Sequence, residues 1–197
     1  MKPRPFLRFA ALVAVYLVVA LPFKAMSLVP GFTDVRPVTA LQPIYGVFFG
    51  LAGCLAVACG NLISDIADDA LRWSSIAGFA ANFLAPLLSW WFWTRFSRTP
   101  FSLRSARDLM RQTLVLVVSG AMQATVITPA VALVYPEVDA VFFAKAVLAN
   151  STAFPVFFGI PLAILLQEEL GFRPLPPHPF GKMTGQSTTQ CAKTLYP

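Results

Sequence analysis

Charge is scarce in this chain of 197 residues: Asp, Glu, Lys and Arg together make up 12%. A soluble domain carries roughly twice that share, so an ordinary water-soluble fold is excluded. Histidine occurs once, at His178 within "PLPPHPF", which reads as a solvated tail residue and not as a ligand or base. The chain contains no G-x-x-x-x-G-K-[ST], H-E-x-x-H, G-x-S-x-G or C-x-x-C. Phosphate loops, zinc-protease helices, hydrolase elbows and dithiol redox pairs are thereby excluded, and no catalysis is expected. Of three cysteines, Cys54 and Cys59 lie in an apolar run and Cys191 in the tail. They read as small apolar packing residues, forming neither a disulfide framework nor a zinc site. No metal and no cofactor is expected.

Apolar residues are what the chain has: 57% of it is hydrophobic, with a mean hydropathy of +0.68. Runs of membrane-spanning length fall at 6–29, 37–66, 76–93, 112–135 and 139–166. The expected class is an all-α integral membrane protein. Hydrophilic sequence is confined to the basic stretch 95–111 and to the end of the chain, "GFRPLPPHPFGKMTGQSTTQCAKTLYP". This divides the chain into a transmembrane domain, 1–167, and a flexible tail, 168–197, rich in Pro, Gly and Thr. A fused ATPase or kinase has no room, so any energy source or output belongs to another chain.

The run at 37–66 decides the topology. As one helix, its thirty residues would reach about 45 Å, against a hydrocarbon core of about 30 Å. Gly46, Gly50 and Gly53 cluster at its midpoint and offer a break. A break gives six helices, the second and third short. One side of the membrane then holds Lys2, Arg4, Arg8, Arg95, Arg98, Arg104, Arg107, Arg111, Arg173, Lys182 and Lys193. The other keeps only Lys24, Arg36, Arg72 and Lys145, which completes the 15 basic residues. Basic residues mark the cytoplasmic side, so both termini are expected in the cytoplasm and the protein in a bacterial cytoplasmic membrane. A five-helix chain would put the basic 95–111 loop opposite the basic N-terminus and break that rule. The net charge of +6 is thus a mark of orientation, and nucleic acid is not expected as a partner. The basic start, apolar run and Ala25–Ser27 site also have the form of a signal peptide. The length of the run favours a retained helix.

Polar residues inside the spans are costly unless they find partners or line a site. Gln42, Asn61, Asp65, Asn82, Gln123, Lys145 and Asn150, with Arg36 just before the second run, gather toward the outer side. Asn61 and Asp65, four apart, share a helix face. A polar cavity open to the outside is the expected arrangement. The bland reading is that these groups make interhelical hydrogen bonds. In the first helix Ala10 and Ala14 form a small-xxx-small step that lets another helix approach closely.

The stretch "DVRPVTALQPIYGVFFGLAGCLAVACGNLISDIADD" resembles the substrate-binding S components of energy-coupling factor (ECF) transporters. The matching parts are Arg36-Pro37, the glycine turn from Phe48 to Gly53 and the helix end from Gly60 to Asp65. "GFAANFLAPLLSWWFW", residues 78–93, fits the fourth helix of that family. Leu51 stands where the family's turn has proline. The resemblance implies a compact six-helix bundle that captures a vitamin-like micronutrient from outside. It would then dock on a transmembrane T component carrying two ABC ATPase subunits. The family docks through an A-x-x-x-A face, here Ala10 and Ala14, and the solute would meet the polar set from Arg36 to Asn150. Membrane lipid is the remaining expected partner. The alternative from another class is an integral membrane sensor that signals through a partner protein.

Overall fold

The computed structural model describes residues 5–29, 32–97 and 100–176. The tail beyond, with His178, Cys191 and most of the segment expected to be flexible, lies outside the described residues. Among the described residues, five helical stretches are long and apolar enough to cross a membrane: Pro5–Phe23, Pro37–Ala67, Ser75–Phe96, Ala106–Val134 and Ala140–Glu168.

Helix α1, Pro5–Ala20, ends earlier than the apolar run suggests. A short 3₁₀ turn, Leu21–Phe23, follows it, and Ser27–Val29 (β1) then pairs antiparallel with Thr33–Asp34 (β2). Pro22 explains the early stop, because proline lacks the N–H that would continue the helix. The strand pair adds a small β element to a fold expected to be all helical. Most of α1 faces outward, with only Val13, Tyr16 and Ala20 buried, whereas most of Leu41–Ala67 is buried.

Helix α2, Leu41–Ala67, follows a 3₁₀ turn at Pro37–Ala40. It departs from helical geometry at Gly50, with φ 58° and ψ −138°. Only glycine adopts that conformation readily, since a side chain would clash with the backbone. The chain reverses there. Arg36 hydrogen-bonds Asn61 across 25 residues of sequence, which a straight helix would hold about 37 Å apart. At the turn, a Cβ on Gly53 would lie 2.0 Å from the Tyr45 carbonyl oxygen, so the two limbs touch backbone to backbone. The limbs sit at the centre of the molecule, against α1, α3 (Ser75–Trp91) and the end of the last helix.

Helix α3 runs on through a π-helical turn, Phe92–Phe96. Helix α4, Ala106–Val134, begins six residues earlier than the apolar pattern predicts. Its start is set by Ser105, whose hydroxyl accepts from the Asp108 amide at 3.1 Å. Helix α5, Ala140–Phe154, starts on a comparable cap: the Asp139 carboxylate accepts from the Val141 and Phe142 amides at 2.9 and 3.0 Å. A π-helical segment, Pro155–Gly159, joins it to α6, Ile160–Glu168.

One end of the bundle is closed by aromatic rings. Trp93 is buried and donates from Nε1 to Gln112 Oε1 at 2.6 Å. Phe101 packs edge-on against both Trp93 and Phe48, with centroids 5.1 and 5.9 Å apart. After α6 the chain turns back over this end. Phe172 meets Phe48, and the Leu175 amide donates to the Val47 carbonyl at 3.0 Å. The Gly50 reversal lies here, beneath Leu175 and beside Trp90. Arg104, in the loop before α4, grips the Glu168 carboxylate with two donors.

Candidate functional site

The opposite end of the bundle is open and polar. It holds a cavity of about 220 Å³ that draws its walls from every part of the fold that reaches this end. Lys24 comes from the turn after α1, and Thr33 and Asp34 from β2. Arg36 precedes α2, and Asn61 and Asp65 stand on its second limb. Gln123 and Ile127 project from α4, and Phe143, Val147 and Asn150 from α5. The volume is below the 300–1,000 Å³ of drug-sized pockets, which suits a small solute.

The polar walls are tied to one another. Arg36 donates from its guanidinium to Asn61 Oδ1 and from its backbone amide to Asn150 Oδ1, the latter at 3.1 Å. Asn150 Nδ2 in turn donates to the Asp34 carbonyl at 2.8 Å, which pins the β pair to α5. Thr39 adds a hydroxyl bond to the Asn150 carbonyl, also 2.8 Å. Asn61 Nδ2 donates to Asp65 Oδ2 at 3.3 Å. The amides are thus held in fixed orientations before any ligand enters, which lowers the ordering cost of binding.

Beneath the cavity lies a second layer. Gln42 and Gln123 exchange amide hydrogen bonds, 3.3 Å one way and 3.1 Å the other. Gln42 also donates to Asn82 Oδ1 at 3.0 Å, and Asn82 donates to the Gly78 carbonyl at 2.8 Å. All three side chains are at most 2% exposed. Buried amides of this kind are tolerated because each finds partners. Only Gln123 reaches the cavity wall.

Charge at the mouth is balanced. The Lys24 ammonium lies 3.0 Å from Asp65, 3.6 Å from Asp34 and 3.8 Å from Asp68. Arg72 stacks its guanidinium over the rings of Phe32 and Tyr135, 4.8 and 5.6 Å from their centroids. Three cations, Lys24, Arg36 and Arg72, therefore face three carboxylates. Burial raises the pKa of Asp34 above the usual carboxylate value, opposed by Lys24 and then Arg36, with Asp68 pushing it further up. Among the described residues no group of His, Cys, Asp and Glu is arranged to hold a metal ion.

Of the residues singled out from sequence, Arg36, Asn61, Asp65, Gln123 and Asn150 line this cavity. Gln42 and Asn82 support it from below. Lys145 does neither. The α5 residues at the wall are Phe143, Val147, Asn150 and Ser151, a helical stripe. Lys145, two positions after Phe143, falls on the far side of the helix, exposed in a separate groove with Leu148 and Thr152. Of the two α1 alanines, Ala14 is exposed and Ala10 half-buried.

Sequence reasoning missed Lys24, Asp34 and Arg72 as wall residues, and the rings Phe32 and Phe143. Asp34 and Arg72 share one signal, since both lie just outside an apolar run on the same expected side, while Lys24 sits near the end of the first run. The rings carry none, because phenylalanine at a wall and in a core look alike in sequence.

No curated protein and no solved structure matches the chain at a significant level. The family model described as the QueT transporter matches residues 6–168, from the first helix to the end of α6. The chain therefore belongs to the QueT transporter family, whose members are membrane-embedded S components of the ECF type and not enzymes.

Proposed function

We propose that this multi-pass membrane protein captures a queuosine precursor, a modified guanine-type base, from outside the cell and delivers it through an ECF complex. The observation that carries the reading is the contrast between a preorganised polar cavity at one end and a closed aromatic seal at the other. A guanine-type base presents adjacent N–H donors and a carbonyl acceptor on its edge. Carboxylates at Asp34 and Asp65 and amides at Asn61, Gln123 and Asn150 offer the complementary set. Phe143 and Val147 supply apolar surface for the ring faces. The family's substrate assignment supports the choice of base.

The reversal at Gly50 supports six membrane crossings, the second and third short, in a solute-binding domain over 1–167. In that topology both termini are cytoplasmic, and the cavity opens on the other side of a bacterial cytoplasmic membrane. The basic residues Arg95, Arg104, Arg107 and Arg111 at the sealed end agree with that orientation. The outward face of α1, with Ala14 exposed on it, is the docking surface for a transmembrane T component with its ATPase subunits.

The test is direct binding of a labelled queuosine precursor to the purified protein, with guanine and an unrelated vitamin as competitors. Displacement by guanine-type bases alone is the expected result. Saturable binding of another solute, or none at all by a folded protein, would overturn the substrate assignment. For docking, Ala10→Trp with Ala14→Trp should abolish association with the T component and leave solute binding intact. Unchanged association would exclude α1 as the interface.

A further inference from the structure

A second groove of about 530 Å³ runs along the outer surface of α4 and α5, on the side of α5 away from the cavity. Its lining is apolar apart from Lys145, Thr113 and Thr152. Lys145 is exposed there and, among the described residues, makes no ion pair or side-chain hydrogen bond. A lone cation on the lipid-facing side of a membrane helix is costly unless it reaches the headgroup layer or an anion.

Its place on α5 satisfies both needs. The helix begins at Asp139, its exposed cap, and side chains on a helix tilt toward the N-terminus. A lysine six residues into the helix is within reach of the interface at Asp139 by snorkelling. Below it the groove continues past Leu148, Thr152 and Val156 to Phe157. From Lys145 to Phe157 the helix advances about 18 Å, close to the depth of one leaflet, about 15 Å.

We propose that this groove is a binding site for one phospholipid with an anionic headgroup, held at Lys145 with an acyl chain along α4 and α5. Charge and length together favour a lipid over a partner helix, which would have to carry an acid at one fixed depth. The site lies outside the solute cavity, so the inference stands independently of the solute's identity.

The test uses nanodiscs of phosphatidylcholine containing a minor fraction of phosphatidylglycerol, followed by native mass spectrometry of lipids retained on the released protein. Wild type should retain phosphatidylglycerol in preference to phosphatidylcholine by about tenfold, a 1.4 kcal/mol preference. Lys145→Gln should remove the preference and Lys145→Arg should keep it. Ala149→Trp, which fills the groove without touching the charge, should expel the lipid. Solute binding should be unchanged in all three.

Equal retention of the two lipids by wild type, or full retention in both Lys145→Gln and Ala149→Trp, would overturn the proposal. So would loss of solute binding in Lys145→Gln, which would return Lys145 to the solute site. Loss of a co-purifying membrane protein with lipid retention unchanged would assign the groove to a partner helix.

Discussion

At one end of the bundle, Lys24, Arg36 and Arg72 face Asp34, Asp65 and Asp68 around a cavity walled by amides. At the other end Phe48, Trp93, Phe101 and Phe172 interlock, and Leu175 straps the chain reversal at Gly50. The same segment, Pro37–Ala67, supplies both. Its two limbs lend polar tips to the open end and an apolar turn to the closed one. In the proposed function, polarity at the first end gives selectivity, because a polar group left unpaired by the wrong solute costs more than a missing apolar contact. The seal at the second end gives a rigid floor, which keeps the amides in place.

The strongest challenge to this contrast removes the guanidinium that organises the open end. Arg36→Met should lower solute affinity on the order of 100-fold, since it deletes a charge-assisted hydrogen bond and releases Asn61. Titration calorimetry on protein that still accumulates in the membrane reads this directly. An affinity within threefold of wild type would mean that the cavity is not the solute site.

At the sealed end the expected loss is one of stability. Gly50→Ala forces a side chain into a positive-φ conformation and against Leu175, a strain of about 1–3 kcal/mol. The thermal midpoint should fall by several degrees, while solute affinity in the surviving folded fraction stays near normal. A large affinity loss without destabilisation would show that the two ends are not separable.

A smaller effect is expected from the buried layer. Gln42→Leu removes the partner that orients Gln123, without contacting the solute itself. Affinity should drop about 5- to 10-fold, because Gln123 at the cavity wall loses both bonds that orient it. Gln42→Glu, which keeps the acceptor, should restore part of it. Equal losses in the two variants would indicate a packing defect instead.

The smallest effect concerns pH. Asp34 holds its proton more tightly in the folded protein than in the unfolded chain. Its contribution to stability is therefore complete below the unfolded pKa and is lost as pH rises through the folded value. Thermal midpoints of the solute-free protein should rise slightly on mild acidification, and Asp34→Asn should flatten that dependence. A dependence unchanged in Asp34→Asn would assign it to another carboxylate.

The parts of this arrangement legible in sequence were those with a local signature. Thirty apolar residues with three glycines at the centre announce a break, because helix length and membrane thickness cannot both be satisfied. Polar residues in the spans announce either a site or interhelical hydrogen bonds, because their cost must be met by one of the two. What sequence could not give was azimuth. Lys145 and Asn150 look equally out of place in an apolar run, yet only the cavity-facing stripe of α5 separates them. Likewise Lys24 reads as the end of a membrane helix until the strand pair brings Asp34 beside it. The fold places these groups through contacts across 41 residues between Lys24 and Asp65 and 114 between Arg36 and Asn150, and no local pattern encodes such distances.

The reversal at Gly50 has a consequence for biogenesis. Each limb of the pair is shorter than the roughly 20 apolar residues that partition into a bilayer as an independent span. An isolated limb would bring its terminal peptide groups into hydrocarbon without partners. In the proposed six-crossing topology the two limbs would therefore leave the insertion machinery together, as a preformed helical hairpin. The cavity residues Arg36 and Asn61 would then already be side by side before the later helices arrive to complete the walls.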